Sequence, residues 1–170
     1  MPRSQNLELD VRSALPDDAE QIAEIYNHYV TTSVISFEEE EVTASEMANR
    51  ILAIQSVSLP WLVAIEGERI VGYAFASNWK ARAAYKFSAE VTVYVRKGLG
   101  GSGIGSALYS QLLPTLKSRG LHMVMGGIAL PNDASVRFHE KFGFKKVAHF
   151  REVGFKFNRW IDVAYWQRTL

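Results

Sequence analysis

The 170-residue chain contains no cysteine, which excludes disulfide bonds, a cysteine nucleophile and a zinc site built on thiolates. It also lacks a marked excess of either charge: 19 Lys and Arg face 18 Asp and Glu, and the formal net charge is +1. This balance gives no indication of a nucleic-acid or membrane-surface partner. No apolar run approaches the ~20 residues that span a bilayer, and residues 1–10 have no apolar segment typical of a secretion signal. We therefore expect a cytoplasmic protein whose partner is a small molecule or a protein.

The rest of the composition is that of one globular domain. The hydrophobic fraction of 48% is ordinary for a chain with a real core, and 170 residues suit one domain. We find no internal repeat, low-complexity tract or linker. The sequence therefore predicts a single domain over residues 1–170.

Apolar periodicity and turn residues predict elements in the order β-α-α-β-β-β-α-β-α-β-β. The first half should hold a strand from Leu7 to Val11, a helix opened by Pro16-Asp17-Asp18, a helix from a capping box at 43–46 to about Ile54, and a hairpin over 61–76. After a loop over 77–86, the second half should hold a strand at 89–95, a helix at 104–119, a strand at 121–128, a helix capped by Asn132 or Asp133 and ending at Gly143, and strands at 144–150 and 161–167. This order indicates α/β architecture with a mixed sheet.

The most informative segment is a glycine-rich turn between a predicted strand and a predicted helix. Five of the residues in the range 98–105 are glycines, and Arg96 and Lys97 precede them. Glycines let the backbone come close to a ligand and adopt positive φ angles, and the start of the next helix offers unpaired N–H groups and a positive dipole end. This combination is typical of a phosphate-binding site, to which Arg96 and Lys97 could add charge. The alternative is a merely flexible turn.

Several kinds of phosphate site share such glycines. Gly98, Gly100 and Gly103 satisfy the dinucleotide pattern G-x-G-x-x-G, but the next predicted strand ends without the acidic residue that this pattern requires. The P-loop pattern fails because the residues after Gly103 are not Lys and Ser or Thr. A nucleophile elbow at Ser102 fails because the residue two positions further on is not glycine. The remaining candidate is the pyrophosphate loop of a CoA-binding acetyltransferase.

The turn resembles the Gln/Arg-x-x-Gly-x-Gly/Ala loop of the GNAT superfamily, with Gly103 and Gly105 in the last two positions and Gly100 in place of the Gln or Arg. Further blocks, in the same order along the chain, resemble the phosphinothricin N-acetyltransferase family: residues 25–30, 89–95, 130–140 and 153–167. The resemblance implies a GNAT (acyl-CoA N-acyltransferase) fold of the α/β class, with a mixed, mostly antiparallel sheet flanked by helices. It also implies acetyl-CoA as co-substrate, no metal, and a homodimer with active sites near the interface.

Two residues are candidates for proton transfer. Glu90 begins the strand that leads into the glycine turn, so it should lie near the acyl group, and the resemblance implies that it is the base for the substrate ammonium. Histidine at the place of His139 is characteristic of the phosphinothricin family, and it could protonate the departing thiolate or assist deprotonation of the amine. The alternatives are a surface carboxylate and a packed helix histidine. Position 143 is Gly, so His139 does not belong to a His-Glu-x-x-His zinc motif.

The resemblance also implies ligand-binding residues. For acetyl-CoA they are Val93, Tyr94, Val95, Gly101, Ser102, Gly103, Ile104, Gly105, Ser106, Asn132 and Lys141. For the acceptor they lie in an early loop and in a basic, aromatic segment before the strand of Glu90, at Phe37, Glu38, Lys80, Arg82 and Tyr85. The alternatives are helix capping alone for Asn132, a solvated lysine for Lys141 and an ordinary solvated loop for residues 78–85.

The resemblance implies transfer of an acetyl group from acetyl-CoA to the α-amino group of a small amino-acid-like acceptor, such as phosphinothricin, methionine sulfone or methionine sulfoximine, and the lack of cysteine favours direct transfer. Positioning of the two reactants would supply most of the rate, with backbone N–H groups aimed at the thioester oxygen. Such an activity would serve antibiotic resistance or detoxification. Two alternatives remain open: a nicotinamide oxidoreductase and a non-catalytic acyl-CoA-binding module.

The C-terminal aromatic residues are expected mainly in the core, with some at a subunit interface: Phe155, Phe157, Trp160, Tyr165 and Trp166.

Overall fold

The computed structural model describes residues 9–170, in which four α-helices pack on one seven-stranded sheet. The strands are β1 (Leu9–Ser13), β2 (Trp61–Glu66), β3 (Arg69–Asn78), β4 (Ser88–Val95), β5 (Met123–Ala129), β6 (Lys145–Lys156) and β7 (Arg159–Thr169). The helices are α1 (Ala19–Thr32), α2 (Ala44–Ser56), α3 (Ile104–Ser118) and α4 (Asp133–Lys141), and short 3-10 turns lie at Pro16–Asp18 and Ala83–Tyr85. The predicted order of elements is confirmed. Residues 7 and 8 of the first predicted strand lie outside the described range.

The sheet has the strand order β1-β2-β3-β4-β5-β7-β6. Neighbouring strands are antiparallel except β4 and β5, which run parallel. The predicted mixed, mostly antiparallel sheet flanked by helices is therefore confirmed. A dinucleotide-binding domain of the G-x-G-x-x-G type needs a largely parallel sheet, so this topology removes the structural basis for a nicotinamide oxidoreductase.

Local hydrogen bonds explain where the helices begin. Thr43 Oγ1 accepts from the Glu46 N–H (3.1 Å) at the start of α2, and Asn132 Oδ1 accepts from the Ser135 N–H (3.1 Å) at the start of α4. Asn132, not the adjacent aspartate, is therefore the cap of α4. Pro16-Asp17-Asp18 opens the helical segment as predicted, but the Asp18 carboxylate accepts from the Leu15 N–H (2.7 Å) and from Arg12 and makes no cap hydrogen bond to α1.

The helices cover the sheet unevenly. On one face, α3 and α4 pack over a large core that includes Leu108, Leu112, Phe144 and Trp166. On the other face, α1 and α2 pack on β2, β3 and β4 around a second core. The part of this face formed by β5 and β7 instead lines an open cavity. The uneven cover thus leaves room for a site beside the middle of the sheet.

β3 and β6 run further than predicted. β3 continues to Asn78, paired with Ala89 of β4, inside the stretch expected to be a loop. β6 continues to Lys156 because its pairing with β7 resumes at Gly154 after an irregularity that begins at Phe150. Within that irregularity Glu152 has a φ of +51°. Periodicity does not detect such a strand, since the irregularity breaks the alternation of its side chains.

The C-terminal aromatic residues divide between core and surface. Trp166 is buried as predicted, with 2% of its surface exposed. Trp160 is 64% exposed, and Phe155 and Phe157 are also exposed. These three side chains therefore do not belong to the core, where most of the C-terminal aromatic residues were expected. They occupy the outer end of the β6–β7 hairpin, where no helix of the described residues covers them, and the expectation that some lie at a subunit interface stays a prediction.

Candidate active site

β4 and β5 separate from each other in the middle of the sheet. Their parallel pairing covers Ser88 to Glu90 on β4 and Met123 to Met125 on β5, and does not continue beyond these residues. We call the opening between them the strand gap; it is lined by residues 91–94 of β4, residues 127–129 of β5, and side chains of α3 and α4. A backbone edge left open in this way can hydrogen-bond an extended ligand as if it were an added strand.

A groove of about 190 Å³ adjoins the strand gap and reaches the start of α3. It shares Val93, Tyr94 and Asn132 with the gap, and Val95 and Gly105 extend its lining. All of these residues were predicted to bind acetyl-CoA. The structure therefore brings together predicted residues that lie far apart along the chain.

The glycine turn stands at the end of this groove. Gly101 and Gly103 have φ angles of +79° and +88°, which strain other residues, and the space on their Cβ side is open. Gly103 is the N-cap of α3, so the N–H groups from Ile104 onward begin the helix without intrahelical partners. Together with the positive end of the helix dipole they are suited to hold an anion. At Gly105 the space is tighter, because a Cβ there would lie 3.2 Å from Phe138 Cε2 and the ring would have to shift slightly.

Arg96 does not contribute charge to the turn. Its side chain is buried, and the guanidinium donates to the Ile70 carbonyl (2.9 Å) and to the Glu24 carboxylate (2.9 Å). The expectation that Arg96 assists phosphate binding is therefore wrong, since both contacts tie it to β3 and α1. Lys97 is exposed beside the turn.

Two consecutive glycines of β5 make room for the proton-transfer candidates. A Cβ on Gly126 would lie 2.8 Å from Nε2 of His139. A Cβ on Gly127 would lie 2.9 Å from the Tyr165 ring and 3.2 Å from Oε1 of Glu90. Because successive strand residues face opposite sides of a sheet, His139 and Glu90 flank the same point of β5 from opposite faces.

Glu90 lies on the open face, at the last residue of β4 that pairs with β5. Burial raises the pKa of this carboxyl, and the positive charge of Lys80 opposes the rise. A carboxylate with a raised pKa holds a proton more readily than an exposed one. Beside a cavity, such a group is suited to general-base catalysis.

His139 lies on the opposite face and is buried, with 4% of its surface exposed. Its Nδ1 is 2.8 Å from the Ser135 carbonyl, which can only accept, so Nδ1 carries the hydrogen. Nε2 is 3.1 Å from the Tyr109 hydroxyl and in the neutral ring accepts its hydrogen. Burial lowers the pKa of His139 and outweighs the opposing effect of the Ser135 carbonyl, so the ring is neutral at pH 7.

Tyr109 is a site residue that the sequence analysis missed. It is fully buried, and burial, assisted by the charge of Glu90, holds the pKa of its hydroxyl well above the ordinary value. It lines the strand gap together with His139. In the sequence, Tyr109 belongs to the apolar face of α3 and follows the same helical spacing as the neighbouring leucines of the core.

A cavity of about 810 Å³ opens where α1 and α2 leave the sheet uncovered, and we call it the acceptor cavity. Its lining is mainly aromatic and aliphatic, with Glu90 and Lys80 as its charged residues. It meets the strand gap at Ile35, Gly127 and Ala129, which line both. Such a space suits a small molecule with an apolar body and a few polar groups.

The predicted acceptor-binding residues do not all reach this cavity. Phe37, Lys80 and Tyr85 line it. Glu38 instead accepts two hydrogen bonds from Arg50 (2.6 and 3.2 Å) and lines a different cavity. Arg82 is exposed before the short turn at Ala83–Tyr85 and is not part of the lining.

The remaining predicted acetyl-CoA residues are spread over two elements. Gly101, Ser102, Gly103, Ile104 and Ser106 form the glycine turn and the first turn of α3. Lys141 is exposed at the last residue of α4, whereas Asn132 lies at the other end of this helix. Asn132 caps α4 and also lines the groove, and its contact with acetyl-CoA stays a prediction.

Within residues 9–170, no group of three or more His, Cys, Asp or Glu side chains is placed to hold a metal ion. None of the helices in this range combines the length and the apolar character that crossing a bilayer requires.

Two parallel strands that separate in the middle of a sheet, a glycine turn at the start of the next helix and a half-buried carboxylate beside the opening form the arrangement that an acyl-CoA-dependent acyltransferase needs. Comparison with known proteins specifies the family. The profile of the acetyltransferase (GNAT) domain matches residues 11–165. The chain therefore belongs to the GNAT acetyltransferase family.

Individual relatives are similar over nearly the whole chain. A phosphinothricin N-acetyltransferase of Streptomyces coelicolor is 41% identical over 167 residues, 96% of this chain and 97% of that protein. An L-methionine sulfoximine/L-methionine sulfone acetyltransferase of Salmonella typhimurium is 32% identical over 162 residues, 95% of each chain. A solved phosphinothricin acetyltransferase of Sinorhizobium meliloti, in complex with acetyl-CoA, has a TM-score of 0.92 at 33% identity and covers 95% of this chain and 88% of that one. The predicted class is confirmed: the chain is an acetyl-CoA-dependent N-acetyltransferase.

Proposed function

We propose that the enzyme acetylates the α-amino group of a small amino acid whose side chain ends in a polar tetrahedral group, as in phosphinothricin, methionine sulfone or methionine sulfoximine. The observation that carries this proposal is that the acceptor cavity meets the strand gap at Gly127, next to Glu90. The names of the relatives in Streptomyces coelicolor and Salmonella typhimurium support this class of acceptor.

Acetyl-CoA binds along the groove and the glycine turn. The open edge of β4 at Val93 and Val95 hydrogen-bonds the pantetheine arm, beside Asn132. The free amides from Gly101 to Ser106 hold the pyrophosphate. In this arrangement the thioester lies in the strand gap, where it is accessible from the acceptor cavity.

Proton transfer is divided between the two faces of the sheet. Glu90 takes a proton from the acceptor ammonium, directly or through one water, so that the neutral amine can attack the thioester carbonyl. On the other face, the Tyr109 hydroxyl lines the strand gap and can turn from Nε2 of His139 to the departing sulfur, to which it donates a hydrogen bond. The sulfur takes up the second proton that the acceptor nitrogen loses when it becomes an amide. His139 remains neutral and positions this hydroxyl.

The lining of the acceptor cavity supports recognition of an amino acid. Lys80 provides a positive charge for the carboxylate of the acceptor. Phe37 and Tyr85 supply aromatic surface around the rest of the molecule. The positive charge of Lys80 and the negative charge of Glu90 suit a zwitterion, because its carboxylate and ammonium need opposite partners.

We further infer a homodimer formed through the β6–β7 hairpin. Phe155, Phe157 and Trp160 are all more than half exposed there, at 52%, 55% and 64%. Large apolar side chains grouped at the surface are typical of an interaction site. Phe150 and Val153 of the same hairpin are exposed and also line the acceptor cavity, so a partner seated there would border the cavity. Light scattering on the wild type and on Trp160→Glu tests this, and a monomeric wild type would contradict it.

The acceptor class is tested by measuring thiol release from acetyl-CoA with methionine sulfone, methionine sulfoximine and phosphinothricin. The matched control is 4-(methylsulfonyl)butanoate, which is methionine sulfone without its amino group. We expect saturable release with the amino acids and background release with the control, and mass spectrometry should find one acetyl group on the product. Binding of CoA without amine-dependent release would instead indicate a non-catalytic acyl-CoA-binding module.

A further inference from the structure

Lys156 is a buried lysine that takes no part in the proposed proton transfer. Only 3% of its surface is exposed, although it lies at the end of β6 in the hairpin that carries the exposed aromatic residues. Lysine is almost never buried in this way unless its amino group is paired, because an unpaired group of this kind costs free energy. The partners of Lys156 therefore indicate what it does.

The amino group of Lys156 bridges two backbone carbonyls. Nζ donates to the carbonyl of Val30 (2.6 Å), near the end of α1, and to the carbonyl of Ser36 (2.7 Å), in the loop that follows this helix. Nζ also lies 5.1 Å from the centre of the Phe157 ring, within the distance at which a cation is attracted to a ring face. Lys156 thus ties the β6–β7 hairpin both to α1 and to the loop.

The loop of residues 33–38, which we call the acceptor loop, presents alternate side chains to the acceptor cavity. Val34 and Ser36 are buried. Ile35 and Phe37 are each 44% exposed, and both line the cavity. Because the Ser36 carbonyl is held by Lys156, the residues on either side of it are fixed in the cavity wall.

Gly154 of β6 supports the ring of Phe37. A Cβ on Gly154 would lie 2.4 Å from Cζ and 2.5 Å from Cε2 of Phe37, so the ring rests directly on the glycine backbone. The φ angle of Gly154 is outside the left-handed region, so alanine suits its backbone conformation. The three atoms nearest to such a methyl group all belong to the Phe37 ring, which would have to move.

The acceptor loop is also attached to α1 through side chains. The Tyr26 hydroxyl lies 2.7 Å from Ser36 Oγ and donates to Glu38 Oε1 (2.9 Å). The loop is thus held from two sides, by Tyr26 of α1 and by Gly154 and Lys156 of β6. The contacts with β6 are those next to the residues that line the acceptor cavity.

We propose that Lys156 is a positioning residue for the acceptor: it fixes the acceptor loop against β6 and so sets the place of Ile35 and Phe37 in the wall of the acceptor cavity. This inference rests on the proposed function, because it concerns the cavity in which the acceptor binds. Lys156 does not line that cavity. Its removal should therefore weaken binding of the acceptor and leave the chemical step nearly unchanged.

The first test is Lys156→Met, which keeps the length of the side chain but leaves the carbonyls of Val30 and Ser36 without their donor. Hydrogen–deuterium exchange measured by mass spectrometry should become faster in residues 33–38. The KM of methionine sulfone should rise roughly tenfold, since the ordered loop is then populated only in part. The KM of acetyl-CoA should change by less than about twofold, because the glycine turn does not belong to the loop.

Two variants serve as controls for Lys156→Met. Lys156→Arg keeps donors for both carbonyls and should restore most of the acceptor affinity. Lys145→Met makes the same substitution at an exposed lysine of the same strand, outside the lining of the acceptor cavity, and should resemble the wild type in every measurement.

The second test is Gly154→Ala, which displaces the Phe37 ring without removing a hydrogen bond. We expect the KM of methionine sulfone to rise roughly fivefold. Thermal unfolding should stay close to that of the wild type, because the half-exposed ring can swing away. In a Phe37→Ala background, Gly154→Ala should raise the KM by less than about twofold further, since the displaced ring is already absent.

Three results would overturn the proposal: equal exchange of residues 33–38 in the wild type and Lys156→Met, an unchanged KM of methionine sulfone, or a fall in kcat alone. If Lys156→Met does not fold, Gly154→Ala decides, and an unchanged KM there overturns the proposal. If the wild type does not acetylate methionine sulfone at all, the proposed function fails, while the exchange measurement still decides whether Lys156 fixes the loop.

Discussion

The two faces of the sheet differ sharply at the strand gap. On the face covered by α3 and α4, His139 and Tyr109 are buried and hydrogen-bonded to each other. On the face that α1 and α2 leave partly open, Glu90 borders a cavity of about 810 Å³. A single strand with two consecutive glycines separates the two environments. One side can therefore hold neutral polar groups away from water while the other admits a charged molecule.

Burial acts in opposite directions on the two proton-transfer candidates. It raises the pKa of Glu90 and lowers the pKa of His139, because in each case it disfavours the charged form. For Glu90 this strengthens the base that must accept a proton. For His139 it preserves the neutral ring, whose Nε2 can accept from Tyr109. The same physical cause thus suits each residue to a different role.

The largest effect is expected when the open face loses its base. Glu90→Gln keeps the size of the side chain but cannot take a proton from the acceptor ammonium. We expect kcat for methionine sulfone to fall by about 10²–10³-fold. Calorimetry should give a nearly unchanged affinity for acetyl-CoA, since the groove and glycine turn are untouched. A kcat within twofold of the wild type would remove Glu90 from the mechanism.

A smaller loss of kcat is expected for a substitution on the face covered by α3 and α4, which we call the closed face. Tyr109→Phe removes the hydroxyl and leaves Nε2 of His139 buried without its donor, so we expect kcat to fall roughly 10- to 100-fold. Thermal unfolding should show a loss of about 1 kcal/mol. A double-mutant cycle with His139→Gln tests whether the two residues act together. Strictly additive effects on kcat would show that they act independently.

The difference between the faces also explains which site residues could be predicted. Glu90 stands out because it is a carboxylate in an otherwise apolar strand next to the glycine turn. Tyr109 has no such signal, since a buried tyrosine on the core face of α3 follows the same periodicity as leucine. Residues of the open face are thus easier to recognise than residues of the closed face, whose polar contacts depend on tertiary packing.

The fold was predictable for a related reason, because local patterns determine most of it. The cap at Thr43 and the glycine turn gave the correct starts of α2 and α3. The errors at the candidate site concern contacts between distant segments. Arg96 seemed suited to phosphate by its position in the chain, but it is paired with Glu24 of α1. Glu38 follows Phe37 directly, yet it is turned toward Arg50 of α2.

The glycines of β5 allow each face to be disturbed separately. Gly126→Ala would place a methyl group 2.8 Å from the ring of buried His139, so we expect a loss of about 1–3 kcal/mol in thermal unfolding. Gly127→Ala would place it 2.9 Å from the Tyr165 ring, which is partly exposed and can move more easily. We therefore expect a smaller loss of stability for Gly127→Ala and a kcat/KM lower by roughly tenfold, because the methyl also crowds Glu90. Equal destabilisation by the two substitutions would contradict the difference drawn between the faces.

The smallest expected effect concerns the pH dependence on the open face. Lys80 favours the ionised form of Glu90 and so opposes the rise in pKa that burial causes. Lys80→Met removes this charge, raises the pKa of Glu90 further and moves the acidic limb of the kcat/KM profile to higher pH. At a fixed pH on that limb, kcat/KM should fall roughly threefold, in addition to any pH-independent loss from weaker acceptor binding. The expected effect is small because the charge pair is partly exposed to solvent. Lys80→Arg keeps the charge and should leave the position of the limb unchanged. A limb that stays in place in Lys80→Met would show that the acidic limb reports a group other than Glu90, and Glu90→Gln measured over the same pH range would then retain it.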